Sequence, residues 1–76
     1  MKEWDIYEEG YFITGNQCGA RFIGVGYGNT FLSACKEFIK RTGRGYIEKD
    51  DTGKYFAAEW GCRWYPTLEE AQRSFG

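Results

Sequence analysis

The sequence predicts a small α+β domain with two layers, in the order ββαββα, in which two helices pack on one face of an antiparallel sheet. Two observations predict this class. Extended runs of β-favouring residues, separated by turn signals, occur before residue 29 and again over residues 45–65. Apolar residues recur at helical spacing over residues 30–42 and after residue 66. A chain of 76 residues is long enough for one modest core, so we expect a single domain over residues 1–76.

The first strand pair is predicted from β-favouring side chains on either side of a turn-rich segment. Residues 3–13 predict a strand that bends near Gly10, because glycine inside a strand often marks a bulge or a bend. Gly15, Asn16 and Gly19 then form a turn signal. Residues 21–27 predict the second strand, and we expect the two strands to pair as a hairpin.

The first helix is predicted from its periodicity and from signals at both of its ends. Asn29 or Thr30 can supply the N-cap oxygen, and Gly43 suits the left-handed position that ends a helix. Lys40 and Arg41 lie where the helix dipole favours cations. The apolar face predicted to be buried comprises Phe31, Leu32, Ala34, Cys35, Phe38 and Ile39.

The second half of the chain predicts another hairpin and a short helix. Asp51, Thr52 and Gly53 form a turn signal between two extended runs. We expect alternate residues of the second run to face the core, namely Phe56, Ala58, Trp60, Cys62 and Trp64. The segment Thr67–Glu70 has the pattern of a capping box, and the buried side of the helix that follows comprises Leu68, Ala71 and Phe75.

Gly24, Gly26 and Gly28 occupy alternate positions directly before the first helix. Their spacing matches neither the GxGxxG nor the GxxxxGK[ST] phosphate-binding pattern. In a strand, the three glycines would leave one face without side chains, so that a helix or large aromatic residues could lie on the backbone. We expect such internal packing, with Trp60 and Trp64 as candidates to cover the face. An outside ligand in the same groove is the alternative.

The residues associated with catalysis and metal binding are few. The chain contains no histidine, so it has no imidazole base and no Ser-His or Cys-His pair. The three cysteines form no CxxC motif, which argues against a zinc site and a disulfide framework, and Cys18 in the turn-rich segment is the one we expect to be exposed. We therefore expect a protein that is not an enzyme and uses no metal and no cofactor.

The distribution of charged and apolar residues bears on location and on partners. No apolar run approaches the length of a membrane span, and the first residues lack a signal-peptide core, so we expect a cytoplasmic protein without membrane contact. The net charge of −1 does not favour general nucleic-acid binding. A local basic cluster on the first helix is nevertheless a candidate anion site: Lys36, Lys40, Arg41 and Arg44.

Aromatic residues make up 20% of the chain, and we expect most of them to fill the small core. The few that remain on the surface favour contact with a protein partner. Strand alternation places several aromatic residues and one arginine on the predicted surface. These candidate partner-binding residues are Tyr7, Tyr11, Tyr55, Arg63 and Tyr65. The acidic residues of the first strand, Glu3, Asp5, Glu8 and Glu9, could imitate a phosphate backbone, or they could protect a sheet edge from aggregation.

Three segments together resemble small accessory proteins encoded by tailed bacteriophages: residues 28–31 (GNTF), residues 60–63 (WGCR) and residues 68–76 (LEEAQRSFG). The resemblance brings no catalytic residues with it. It implies a protein that binds a host or phage protein and inhibits it, and this is our first functional hypothesis. One alternative is a nucleic-acid or nucleotide binder that uses the basic helix and the glycine groove. The other is a structural protein that self-associates through an edge strand.

Overall fold

The computed structural model describes residues 1–13 and 16–74, with the side chains of residues 12, 13 and 16–18 left aside. The expectations for Gly15, the Cys18 thiol and Phe75 lie outside this description. Seven strands and two helices occupy the described ranges: β1 (Lys2–Glu8), β2 (Tyr11–Ile13), β3 (Asn16–Cys18), β4 (Arg21–Gly28), α1 (Phe31–Thr42), β5 (Tyr46–Lys49), β6 (Tyr55–Glu59), β7 (Cys62–Tyr65) and α2 (Leu68–Ser74).

Five of these strands form one sheet in the order β4-β1-β7-β6-β5, and every neighbouring pair is antiparallel. The predicted α+β class, with an antiparallel sheet and two helices, is confirmed. The predicted first strand is divided near Gly10 into β1 and β2, and β2 pairs separately with β3. The pairing of β1 with β4 shifts between Ile6 and Tyr7, because Ile23 of β4 has no partner in the register.

The predicted second run over residues 55–65 is two strands joined by a turn at Trp60 and Gly61. Both turn residues have positive φ angles, 57° and 77°, as two-residue hairpin turns of the favoured handedness require. Glu59 therefore pairs directly with Cys62, and the alternation of side chains shifts by one residue. Cys62 and Trp64 are buried as predicted, but the expectation that Trp60 faces the core is wrong, since it is 88% exposed. The expectation is also wrong for Phe56 and Ala58. Ala58 pairs with Arg63, whose guanidinium stacks on the Phe56 ring, so both residues lie on the sheet face opposite Trp64.

Helix α1 has the predicted caps. The hydroxyl of Thr30 accepts a hydrogen bond from the backbone N–H of Ser33 (3.1 Å), and the Ser33 hydroxyl accepts one from the Thr30 N–H (3.0 Å). Gly43 follows with a φ of 74°, and its N–H donates to the carbonyl of Ile39 (2.8 Å). Each bond satisfies a backbone group that a helix end otherwise leaves without a partner. Both helix ends are therefore fixed by residues three or four positions apart in sequence.

The core lies between α1 and the sheet, and its buried cluster consists of Ile6, Cys35, Phe38, Ala57 and Trp64. The glycine face of β4 belongs to this contact. A methyl group added at Gly26 would lie 2.2 Å from the carbonyl oxygen of Ala34, and one added at Gly24 would lie 2.5 Å from the Phe38 ring. The predicted internal packing is thus confirmed for a helix, α1. Trp64 contacts Gly45 instead of this face, and Trp60 is in solvent.

Helix α2 begins at the predicted cap, where the Glu70 N–H donates to the Thr67 hydroxyl (3.2 Å). Ala71 is fully buried, whereas Leu68, predicted to be buried, is 41% exposed. We expected both helices to pack on one face of the sheet, and the contacts of α2 differ from this expectation. Tyr65 alternates with Trp64, which faces α1, and the Tyr65 hydroxyl donates to the Ser74 hydroxyl at the end of α2 (2.9 Å). Helix α2 therefore contacts the sheet on the face opposite α1.

Candidate functional site

The most exposed large aromatic residue within the described part of the chain is Trp60, at the tip of the β6–β7 hairpin. Hairpin turns of this type favour Asn, Asp or Gly, and a left-handed conformation costs another residue on the order of 1–2 kcal/mol. Exposure of the apolar indole ring to water is a further free-energy cost for the folded chain. Neither the turn nor the core explains a tryptophan at this position, so the residue is a candidate for contact with a partner.

The tip has a fixed position relative to the sheet. The Gly61 N–H donates to the hydroxyl of Tyr46 (2.9 Å), which joins the turn to β5. Shallow depressions flank the indole, one of about 460 Å³ toward Gly45 and one of about 470 Å³ toward Gly10. The ring therefore projects between two open recesses from a turn that is itself hydrogen-bonded in place.

An acidic groove of about 420 Å³ adjoins the tip, on the sheet face opposite α1. We define it by four carboxylates, Glu9, Glu48, Asp50 and Asp51. One cation lies in the groove: the Arg63 guanidinium stacks 3.9 Å from the centre of the Phe56 ring and lies 3.6 Å from the Asp50 carboxylate. Lys49 lines the groove, but its ammonium lies 5.4 Å from the Tyr55 ring, on the α1 side of the sheet. Carboxylates outnumber cations in the groove, so its character is acidic.

The carboxylates of the acidic groove differ in their internal partners. Asp50 accepts hydrogen bonds from the Thr52 hydroxyl (2.6 Å) and the Lys54 N–H (3.0 Å), and the Thr52 hydroxyl is the main cause that lowers the pKa of Asp50. Glu9 accepts from the backbone N–H of Arg63 (2.9 Å). Among the described residues, Glu48 and Asp51 form no ion pair. These two exposed carboxylates remain available to a partner.

The predicted partner-binding residues do not form one surface. Tyr7, Arg63 and Tyr65 share the sheet face opposite α1, whereas Tyr55 lies on the other face and is 57% exposed. The first three already make internal contacts: the Tyr7 ring lies 5.4 Å from the Phe22 ring, Arg63 stacks on a ring, and Tyr65 donates to α2. Tyr11 is half-buried beside the tip. Sequence reasoning missed Trp60, although an X-Gly pair between two apolar runs was a usable signal.

The predicted anion-binding residues are also divided by the fold. Arg44 donates two hydrogen bonds to Glu59 (2.7 and 3.2 Å), and Arg41 donates two to Glu37 (2.7 and 3.2 Å). Only Lys36 and Lys40 remain exposed and, among the described residues, without an ion pair. The cluster therefore presents two unpaired charges. Of the other two, Arg41 joins α1 to β4, and Arg44 joins the segment after α1 to β6.

Arg41 and Glu37 together form a clamp on the β4 edge of the sheet. Arg41 donates to the carbonyl of Val25, and the N–H of Tyr27 donates to the Glu37 carboxylate (3.0 Å). These backbone groups point away from β1 and would otherwise be open to another strand. The hydrogen bond from Arg41 is the main cause that lowers the pKa of Glu37. We call this pair the Glu37–Arg41 clamp.

We expect Glu37→Ala to lower the hydrogen-exchange protection of the Tyr27 amide several-fold, because the amide loses its acceptor. In the native chain the pKa of Glu37 is lowered from 4.5, so the clamp stabilises the folded state fully above pH 4.5. This stabilisation is lost as the pH falls through the lower pKa that Glu37 has in the folded state, and the protection of the Tyr27 amide should fall with it. Amide exchange followed by NMR checks both effects. Lys36→Ala on the same helix is the control, and equal Tyr27 protection in the two variants would contradict the clamp.

The remaining ionisable groups of the core have structural partners or are neutral. Burial raises the pKa of the Cys35 thiol to about 12, and burial followed by Glu8 raises the pKa of Cys62. The buried Glu8 carboxylate accepts from Arg21 (3.1 Å) and from the Trp64 indole (3.1 Å), so both of its oxygens are satisfied. Among the side chains that the structure describes, no three metal-ligating groups cluster, and no helix of the described residues is long and apolar enough to cross a membrane.

No protein-family model matches the chain, and no curated protein or solved structure is similar to it. The structural features that bear on function are therefore the Trp60 tip, the acidic groove beside it and the two edges of the sheet.

Proposed function

We propose that this protein is a non-enzymatic interaction module that binds another protein through the Trp60 hairpin tip. The observation that carries the proposal is an indole that is 88% exposed, in a left-handed turn position that disfavours it. The resemblance to accessory proteins of tailed bacteriophages supports a host or phage protein as the partner, bound and inhibited in the host cytoplasm.

The tip has the properties of a binding hot spot. A tryptophan buries about 200 Å² when it enters a pocket, which corresponds to about 5 kcal/mol before the costs of association. Tryptophan is also among the residue types enriched at such positions. The Gly61 to Tyr46 hydrogen bond holds the turn before binding, so less conformational entropy is lost when a partner binds.

Nucleic-acid binding through the basic helix is a weaker candidate. Two of its four cations, Arg41 and Arg44, are already engaged with carboxylates of the same chain. Phosphate contacts would have to compete with these pairs or rely on Lys36 and Lys40 alone. Self-association is a further alternative, and the mass of the protein in solution distinguishes it from binding to a different protein.

We expect Trp60→Ala to weaken the binding of the partner protein by about 30-fold or more, as the loss of a hot spot of about 2 kcal/mol implies. The partner is first captured from bacterial lysate on the tagged protein and identified by mass spectrometry, with and without nuclease. Its affinity for the two forms is then measured by calorimetry. Tyr55→Ala is the matched control, because it removes an exposed aromatic residue away from the tip.

Three results would contradict the proposal. Equal affinity of the native chain and Trp60→Ala would remove the tip from the binding surface. Capture that is lost on nuclease treatment would point to the basic helix and to nucleic acid. Recovery of the bait alone, at the mass of two or more copies, would identify self-association as the function.

A further inference from the structure

The two edge strands of the sheet differ in whether side chains bond to their outward-facing backbone groups. At β4, the Glu37–Arg41 clamp occupies the outward-facing N–H of Tyr27 and carbonyl of Val25. At β5, which forms the opposite edge, no side chain of the described residues bonds to the backbone of Tyr46–Lys49. An edge strand with open backbone groups is a template for another strand. One edge is thus closed to strand addition and the other is open.

The hydrogen-bond alternation shows which groups of β5 face outward. The Asp50 N–H donates to the Lys54 carbonyl (2.8 Å) at the end of the β5–β6 ladder. Bonded and non-bonded pairs alternate in an antiparallel ladder, so Glu48 and Tyr46 bond to β6. The N–H and C=O groups of Ile47 and Lys49 therefore point away from the sheet. They offer four backbone hydrogen bonds to an incoming strand.

The two faces beside this edge differ in chemistry. Tyr46 and Glu48 face the side of the acidic groove, where the exposed Glu48 has no ion pair. Ile47 faces the other side and packs against the core. An added strand places alternate side chains next to these two sets. Cationic side chains would then lie beside Glu48 and Asp51, and apolar ones beside Ile47.

We propose that an extended segment of the partner protein, with basic and apolar residues in alternation, adds to β5 as a sixth strand of the sheet. This inference rests on the proposed function, since the Trp60 tip lies next to the same edge through the bond of Gly61 to Tyr46. Backbone hydrogen bonds hold the segment, and charge complementarity with the acidic groove sets its register. The tip and the edge form one continuous interaction surface.

The test uses the ¹⁵N-labelled full chain and a blocked peptide of alternating lysine and valine, titrated at low salt and followed by NMR. We expect the amides of Ile47 and Lys49 to shift and to become protected from hydrogen exchange. A peptide of alternating glutamate and valine should bind at least about 10-fold more weakly, because like charges across a strand pair disfavour pairing. Glu48→Lys should lower the affinity of the chain for the lysine peptide by about 5-fold.

The substitution Lys49→Pro tests the backbone contact directly. Lys49→Pro removes one outward-facing N–H at an edge position that tolerates proline. It should lower the affinity for the lysine peptide by about 10-fold. Lys49→Ala, which keeps the N–H, should bind within about twofold of the native chain. Peptide shifts confined to Val25 and Tyr27 of β4, or no shifts at Ile47 and Lys49, would overturn the inference.

Two further outcomes separate this inference from the proposed function. If Trp60→Ala abolishes capture of the partner protein while Lys49→Pro leaves it unchanged, strand addition is wrong and binding by the tip stands. If the free protein sediments as a dimer with Ile47 and Lys49 already protected, a second copy occupies the edge, and a partner segment is wrong.

Discussion

Replacing Trp64 by alanine is expected to lower the free energy of unfolding by about 3–5 kcal/mol. Trp64 is 3% exposed, its ring packs edge-on against Phe38 (5.5 Å between centroids), and its far edge contacts Gly45. Alanine would leave a cavity at the centre of the core and would remove one donor from the buried carboxylate of Glu8. For a domain of this size such a loss is a large part of the total stability.

The chain provides a matched control in Trp60, whose removal deletes the same side chain from the surface. Trp60→Ala should change the free energy of unfolding by no more than about 0.5 kcal/mol. Urea denaturation followed by far-ultraviolet circular dichroism measures both variants. Trp64→Phe keeps most of the ring and removes only the N–H, so it separates the cavity from the lost bond to Glu8. Equal losses for Trp64→Ala and Trp60→Ala would contradict the assigned core.

Replacing Gly26 by alanine is expected to lower the free energy of unfolding by about 1–3 kcal/mol. The added methyl group would lie 2.2 Å from the Ala34 carbonyl oxygen and 2.8 Å from its carbonyl carbon. Both atoms belong to the backbone of α1, so relief requires the helix to move away from β4. The helix contacts the core through Phe38, and its displacement would loosen that packing as well.

A glycine in open space is the control for Gly26→Ala. Gly43 ends α1 with a φ of 74°, and no atom lies within 4 Å of a methyl group added there. Asparagine tolerates this left-handed position, so Gly43→Asn should cost less than about 1 kcal/mol. Thermal and urea unfolding of the two variants are compared directly. If Gly26→Ala proves as stable as the native chain, α1 does not lie on the glycine face.

Features that depend on neighbours in sequence were predictable. The caps of α1, its apolar face and the turn after Asp50 follow from residues within a few positions of one another. The internal packing on Gly24 and Gly26 was also foreseen, because side chains absent from one strand face indicate close approach. The face is covered by a helix, which was one of the two expected possibilities, and not by Trp60 or Trp64, because no local rule tells which distant residue packs there.

The hairpin at Trp60 and Gly61 shows the limit of alternation. A long run of alternating residues reads as one strand, but a two-residue turn within it places even-numbered residues before the turn and even-numbered residues after it on opposite faces of the sheet. That turn moved Trp60 into solvent and separated Tyr55 from Arg63. The candidate site was consequently missed, and the predicted set of partner-binding residues was divided between two faces of the sheet.

The sequence by itself determined the α+β class, the limits and caps of α1 and the absence of an imidazole from any site. These properties rest on composition and on contacts between residues close in the chain. Only the tertiary structure decided that Arg41 and Arg44 pair internally, that β4 is clamped and that β5 is open. The physical reason is that strand order and ion pairing join residues far apart in sequence, and packing of the whole chain selects those partners.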